Sequence, residues 1–188
     1  MSESLITKKA LADSIKQLMK THPLAKISIQ KIVSNCNLSR KTFYYHFQDK
    51  FDLVNWIFIT EISKKIANCN HYENWTEGTY RTLEYLMRNK YFYVNAFNTP
   101  GQNSFDECFY NFCFDILMCA ISELSINMII PSIDKKFIAD FYTHAFVGIT
   151  IQWVKNGMKD SPSDLVEGIN NVIEGSMPHA LNKYKTQD

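Results

Sequence analysis

The stretch SRKTFYYHFQDK, residues 39–50, crowds cations and hydrogen-bond donors around two phenylalanines. Arg40, Lys41 and Lys50 carry charge, Ser39 and Thr42 carry hydroxyls, and Tyr44, Tyr45 and His46 add polar tips to rings. Such groups hold anionic oxygens and planar polar edges; none of them forms a nucleophile paired with a base. Elsewhere the chain offers no phosphate-cradling glycine loop and no metal-ligand spacing. Cys69-Asn70-His71 comes nearest to a dyad, but adjacent positions rarely make one. No enzyme activity, catalytic residue, metal or cofactor is therefore expected.

Charge is distributed in keeping with an anion-binding front. Residues 1–50 hold nine Lys/Arg against three Asp/Glu, whereas the other 138 residues hold eleven against sixteen. The overall net charge of +1 conceals this division. Five cysteines, Cys36, Cys69, Cys108, Cys113 and Cys119, follow no secretory core, and no apolar run reaches membrane-spanning length. The expectation is a cytoplasmic chain with reduced thiols and no membrane partner.

Apolar spacing indicates the elements that must position those groups. Leu11, Ile15 and Leu18 mark a first helix from about Thr7, ended by Pro23. Ser28 caps a second, striped by Ile29, Ile32, Val33 and Cys36. Asn37, which tolerates a left-handed backbone, makes the turn. Ser39 caps a third, short helix in which Phe43 and Phe47 share the inner face, leaving Arg40, Lys41, Tyr44 and Tyr45 on the flanks and outer side. Two helices joined in this way form a helix-turn-helix pattern. Asp49 opens a long fourth helix. Further helices are expected over 76–97, around Phe105–Ile116, over 135–156, and from Pro162 past Met177, with Gly157 as a stop. Only six glycines and five prolines punctuate the chain, and the fold class is all-α.

Residues 27–54, ISIQKIVSNCNLSRKTFYYHFQDKFDLV, resemble the N-terminal module of the tetracycline-repressor (TetR) family of bacterial transcription regulators. The matching positions are Ser28, Leu38-Ser39, Thr42-Phe43-Tyr44, His46-Phe47, Lys50 and Leu53. The usual turn glycine is Asn37 here, and the common small residue of the third helix is Lys41. Residues 142–166, with Trp153-x-x-x-Gly157-Met158 and then Ser161-Pro162, resemble a C-terminal class that includes dihydroxyacetone-kinase operon regulators. The resemblance implies a three-helix DNA-binding domain over 1–48 and a helical regulatory and dimerisation domain over 49–188.

On that footing the third helix would meet base edges of double-stranded operator DNA through Arg40 and Lys41, with Thr42 and Tyr45 adding contacts. Ser28 and Ser39 at helix N-termini, with Tyr44, His46 and Lys50, would meet phosphates. Because one short helix selects too little sequence, a homodimer is expected. Its interface is placed on Ala145, Gly148, Ile149, Trp153, Leu165, Ile169, Val172 and Ile173, where small residues permit close helix approach. The resemblance further implies a pocket for an unknown small-molecule effector, with candidate lining from Tyr80, Tyr91, Phe97, Phe109, Phe112, Tyr142, His144 and Phe146. Repression is the commoner mode in the family. A co-activator sensing through a partner regulator is the alternative within regulation, and a helical protein-interaction module without DNA binding is the alternative outside it.

Overall fold

The computed structural model describes residues 3–67, 72–101 and 104–185, and every regular element among them is helical. The helices are α1 (Glu3–Met19), α2 (Ile29–Asn35), α3 (Arg40–His46), α4 (Lys50–Lys65), α5 (Trp75–Arg88), α6 (Lys90–Phe97), α7 (Phe105–Leu124), α8 (Ser132–Lys155), α9 (Pro162–Ile173) and α10 (Ser176–Tyr184). No helix among the described residues is long and apolar enough to cross a membrane. Cys69, Asn70 and His71 lie outside the described residues.

Two expected helices are each broken in two. The single helix expected over 76–97 parts at Asn89, which separates α5 from α6. The last helix parts at Glu174 and Gly175, whose φ of 71° is left-handed and cannot continue an α-helix. Asn37, at φ 53°, turns the chain between α2 and α3 as its type suggested.

The chain packs as two compact units. The first runs to Glu61 and takes in Asn89–Cys108; the second comprises Ile62–Arg88 and everything from Phe109 onward. By packing, then, the first unit extends beyond the 48/49 division expected from the sequence. The first twelve residues of α4 and all of α6 contribute to the front core, an arrangement in which α6 returns past α5 to α4 and α1. The packing explains it: Phe92, Tyr93, Ala96 and Phe97 of α6 are all buried. Tyr93 and Phe105 lie 6.0 and 5.2 Å from the Phe58 ring, and Phe97 lies 4.7 Å from Phe105. Edge-on aromatic contacts of this kind add about 0.5–1.5 kcal/mol each beyond their burial. At the same core's edge Gly101 sits against the Phe51 ring, where an added Cβ would come within 2.8 Å of a ring carbon.

In the second unit, Leu117 and Ile121 of α7, Ile138 and Ala139 of α8, and Met177 and Leu181 of α10 form one buried cluster. Tyr110 donates to the Asp140 carboxylate at 2.6 Å; burial and that carboxylate push its phenol up to about 12.

The described cysteines are free thiols, Cys113 buried, Cys36 and Cys108 half-buried, and Cys119 exposed. Burial, reinforced by the neighbouring Glu107, pushes the Cys108 thiol up to about 11. At pH 8 about one Cys108 in a thousand is then thiolate, the reactive form. Iodoacetamide should accordingly modify Cys119 well before Cys108, with the Cys108 rate still climbing as the pH approaches 11. Peptide mass spectrometry over a time course would reveal equal rates if this were wrong.

Candidate nucleic-acid interface

The front unit is built to present one short helix. Ser28 caps α2, its Oγ accepting from the Lys31 amide at 3.3 Å; Ser39 caps α3, its Oγ accepting from the Thr42 amide at 3.0 Å. These caps satisfy amides that seven-residue helices would otherwise leave unpaired. The buried Ser14 hydroxyl of α1 donates to the Ile32 carbonyl at 2.7 Å and accepts from Asn35 Nδ2 at 3.2 Å, fixing α1 to α2. Phe43 and Phe47 are buried, and full burial of each ring stabilises the docked α3 by roughly 1.5–3 kcal/mol. The Phe47 ring meets Trp56 of α4 at 5.7 Å, with the Lys8 ammonium over both rings.

Docking Phe43 and Phe47 inward turns the remaining side chains outward. Arg40, Lys41, Tyr44 and Tyr45 are all exposed, Tyr45 at 83%. The Arg40 guanidinium lies 5.9 Å from the Tyr44 ring centre and reaches its hydroxyl at 3.5 Å. The Tyr45 ring meets His46 edge-on at 4.9 Å. Thr42 is half-buried, and its hydroxyl shares a 2.8 Å hydrogen bond with Ser39. One helix face therefore carries two cations and two phenols, with the capping hydroxyls of Ser39 and Thr42 at its start. Such a set can reach base edges and phosphates together.

Lys50 has a different occupation from the free phosphate-binding charge expected of it. Its Nζ donates to the carbonyls of Leu24 at 2.7 Å, Ala25 at 3.1 Å and Ile27 at 3.1 Å. Three acceptors match the three hydrogens of an ammonium, so in this arrangement Lys50 braces the turn between α1 and α2. Burial pushes its pKa below the ordinary lysine value, with Asp49 opposing. Partners 23 to 26 residues away were not legible in the motif.

In the rear unit a cavity of about 30 Å³ is lined by Ile66, Trp75, Gly78, Thr79, Thr82, Phe112, Cys113, Ile116 and Phe146. Of the eight candidate lining residues, Phe112 and Phe146 line this cavity. The other six candidates do not line it. Tyr91 is 79% exposed on α6, and Phe97 belongs to the front aromatic core. His144 is exposed, its Nδ1 2.8 Å from the Asp140 carbonyl. Phe109 is fully buried, 6.2 Å from the Phe146 ring. Tyr80 is half-buried on α5, and Tyr142 shares a 2.8 Å hydrogen bond with Ser176. Aromatic spacing identified buried faces but could not assign them to a unit. It also missed Trp75, whose Nε1–H is buried and meets no acceptor among the described residues. The first turn of α5, where Trp75 sits, carries no spacing signal that would have flagged it.

Between α8 and α9 runs a groove of about 210 Å³ whose walls include Tyr142, Ala145, Ile149, Leu165, Gly168 and Val172. Ala145, Gly148, Ile149 and Val172 are exposed, and Leu165 and Ile173 half-buried. Trp153 and Ile169, expected at the same interface, are instead buried within their own chain. The Trp153 indole donates to the Asp160 carbonyl at 3.0 Å and closes the α8–α9 loop. The apolar face of α8 extends further toward its N-terminus than expected, since Phe137 and Phe141 are 61% and 64% exposed.

Residues 11–57 match a family profile described as bacterial regulatory proteins of the tetR family, and residues 73–175 match one described as a transcriptional regulator C-terminal region. The chain is 33% identical over 97 residues to the HTH-type dhaKLM operon transcriptional activator DhaS of Lactococcus lactis subsp. lactis (strain IL1403), a match spanning 52% of each chain. Among solved structures, the dihydroxyacetone kinase operon activator DhaS superposes with a TM-score of 0.68 at 25% identity, covering 97% of this chain and 99% of that one. NalD, the secondary repressor of the MexAB-OprM multidrug efflux pump in Pseudomonas aeruginosa, shares the fold at a TM-score of 0.60 and 14% identity, covering 96% and 97%. With its helix-turn-helix exposed at the front and the regulator C-terminal region matched behind it, the chain belongs to the TetR family of DNA-binding transcriptional regulators.

Proposed function

We propose that this regulator binds its operator as a homodimer, reading base edges with α3 and responding to a small molecule held in the rear unit. The observation that carries the reading is the split of α3 and the residue that ends it into two sides, Phe43 and Phe47 inside, and Arg40, Lys41, Tyr44 and Tyr45 outside. Arg40 and Lys41 occupy the first turn, where a recognition helix meets bases, and Thr42 and Tyr45 extend the contact. Ser28, Ser39, Tyr44 and His46 serve phosphates, while Lys50 supports them as a brace. Residues 1–48 form the reading head, and 49–188 supply regulation and dimerisation.

The exposed apolar stripe of α8, from Phe137 and Phe141 to Ala145, Gly148 and Ile149, supports pairing with a second copy, joined by Leu165 and Val172 of α9. Two reading helices then fall about 34–36 Å apart, one turn of the duplex. Among the described residues the wall of the rear cavity carries no charged side chain, and its volume of about 30 Å³ has room for roughly one water, so a neutral effector would have to widen it on binding. For the sign of regulation, likeness to DhaS, named an activator, favours activation over the repression expected from the sequence. The site of action is the cytoplasm, where the DNA is.

Arg40→Ala tests the reading directly. Against a duplex selected from a random pool by the unmodified protein, the variant should lose about 1–3 kcal/mol of discrimination at one base position in each half-site. An unchanged base preference, measured by repeating the selection, would remove α3 as the reader.

A further inference from the structure

The turn between α1 and α2 is a single 3₁₀ turn, Leu24–Lys26, preceded by Pro23. Where α1 ends, carbonyls of its last turn and of the following residues lose their helical partners, and the first amide of the new turn has none of its own. A side chain from α6 takes up several of them. Asn95 Oδ1 accepts from the Leu24 amide at 2.7 Å, and Asn95 Nδ2 donates to the His22 carbonyl at 2.9 Å and the Met19 carbonyl at 3.4 Å. Both ends of one carboxamide are used, on backbone groups more than seventy residues away in sequence. From the other side, Lys50 of α4 holds the carbonyls of Leu24, Ala25 and Ile27. Ile27 immediately precedes the Ser28 cap of α2. The turn that sets α1 against α2 is thus held between α6 and α4.

Side chains committed to backbone in this way fix geometry as well as adding stability, because each bond specifies a distance and a direction. Asn95 is half-buried, and both ends of its carboxamide are spent on this turn. Its helix follows α5 after one residue, Asn89, and α5 carries Trp75, Thr79 and Thr82 of the rear cavity wall. A single stretch of chain therefore runs from the cavity wall to the hydrogen bonds that hold the reading head.

We infer that Asn95 is a positioning residue for DNA recognition, the pin through which α6 fixes the α1–α2 turn and hence the pose of α2 and α3. It makes no contact with DNA itself. Removing it leaves the base-reading and phosphate-binding side chains intact but lets the turn relax. Asn95 is separate from the residues assigned to DNA contact, and its role depends on the DNA-binding reading being right.

The test uses the full chain carrying Asn95→Ala or Asn95→Asp. The alanine variant removes all three hydrogen bonds. The aspartate keeps the acceptor for the Leu24 amide, which favours folding, but turns a carboxylate toward two carbonyls. Two quantities are read: hydrogen exchange at the Leu24 amide by NMR, and affinity, as a function of salt, for the duplex selected by the unmodified protein. In N95A the Leu24 amide should exchange about tenfold faster or more, the scale of one lost hydrogen bond. Both variants should lose about tenfold in affinity with the slope of log affinity against log salt unchanged, since no phosphate contact is lost.

A residue that only adds stability would lower the melting temperature and leave the affinity of folded molecules at the unmodified value; that result would overturn the proposal. A slope shallower by about one would also overturn it, by making Asn95 a phosphate contact. Unchanged Leu24 exchange in N95A alongside normal selection by the unmodified protein would overturn the pin alone. Failure of the unmodified protein to select any duplex would overturn the DNA reading and this role with it.

Discussion

Replacing Phe43 by alanine is expected to lower stability by about 3–5 kcal/mol and to abolish DNA binding. Phe43 is 0% exposed, and its ring meets Tyr44 at 5.7 Å and Phe47 at 5.9 Å. Truncation loses the transfer energy of the ring and leaves a cavity between α3 and the helices beneath it. The loss falls on an element that cannot stand alone, because α3 has seven residues and an isolated helix shorter than about 12–15 is marginal in water. Its one cap, Ser39 to Thr42, is worth about 1 kcal/mol, too little to hold the helix once the ring is gone. Urea titration should show the midpoint falling sharply, with binding to the selected duplex lost even where the rest of the chain remains folded. Tyr45→Ala is the control: its ring is exposed, so stability should hold within about 0.5 kcal/mol while DNA affinity falls.

How far the molecule could be read from its sequence follows from the range of the forces involved. The start of α2 at Ser28, the start of α3 at Ser39, the left-handed Asn37 and the inward pair Phe43 and Phe47 were all legible. A cap acts over three residues, a turn over one, and a helix face over four. The break at Asn89 was not, because α5 and α6 are both apolar enough to read as one helix, and what separates them is the destination of α6 in the front core. For the same reason Phe97, and the division of the chain into units, could not be placed: aromatic spacing says that a face is buried, not against what. Lys50 and Asn95 show the limit most plainly. Each binds backbone remote in sequence, and no local pattern distinguishes a lysine that braces a turn from one that waits for a phosphate.

The interface residues divide along similar lines. Small residues on α8 suggest a close-packing face, and Ala145 and Gly148 are open to solvent in the single chain. Trp153 and Ile169 share the same spacing but are consumed by the packing of α8, α9 and the loop between them. Phe137 and Phe141 went unassigned because an exposed phenylalanine at helical spacing reads as core until the fold shows otherwise.

The second large effect expected is the response to salt, and it bears on the central claim, that a basic front reads DNA. The first fifty residues carry a net charge of about +6, counting nine cations against three anions. A dimer would present that surface twice. Each phosphate it neutralises releases condensed counterions, so affinity falls linearly on logarithmic axes with a slope of about −0.9 per contact. With six or more phosphate contacts shared between two heads, raising salt from 50 to 200 mM should weaken binding by about 10³-fold or more. An interaction module without DNA binding, whose basic front would instead meet an acidic partner, would leave the duplex unbound at every salt concentration. The decisive measurement is therefore the affinity of the intact protein for DNA upstream of its own gene between 50 and 200 mM salt. A steep, linear loss on logarithmic axes is the result predicted; binding that is absent throughout, or unchanged by salt, would contradict it.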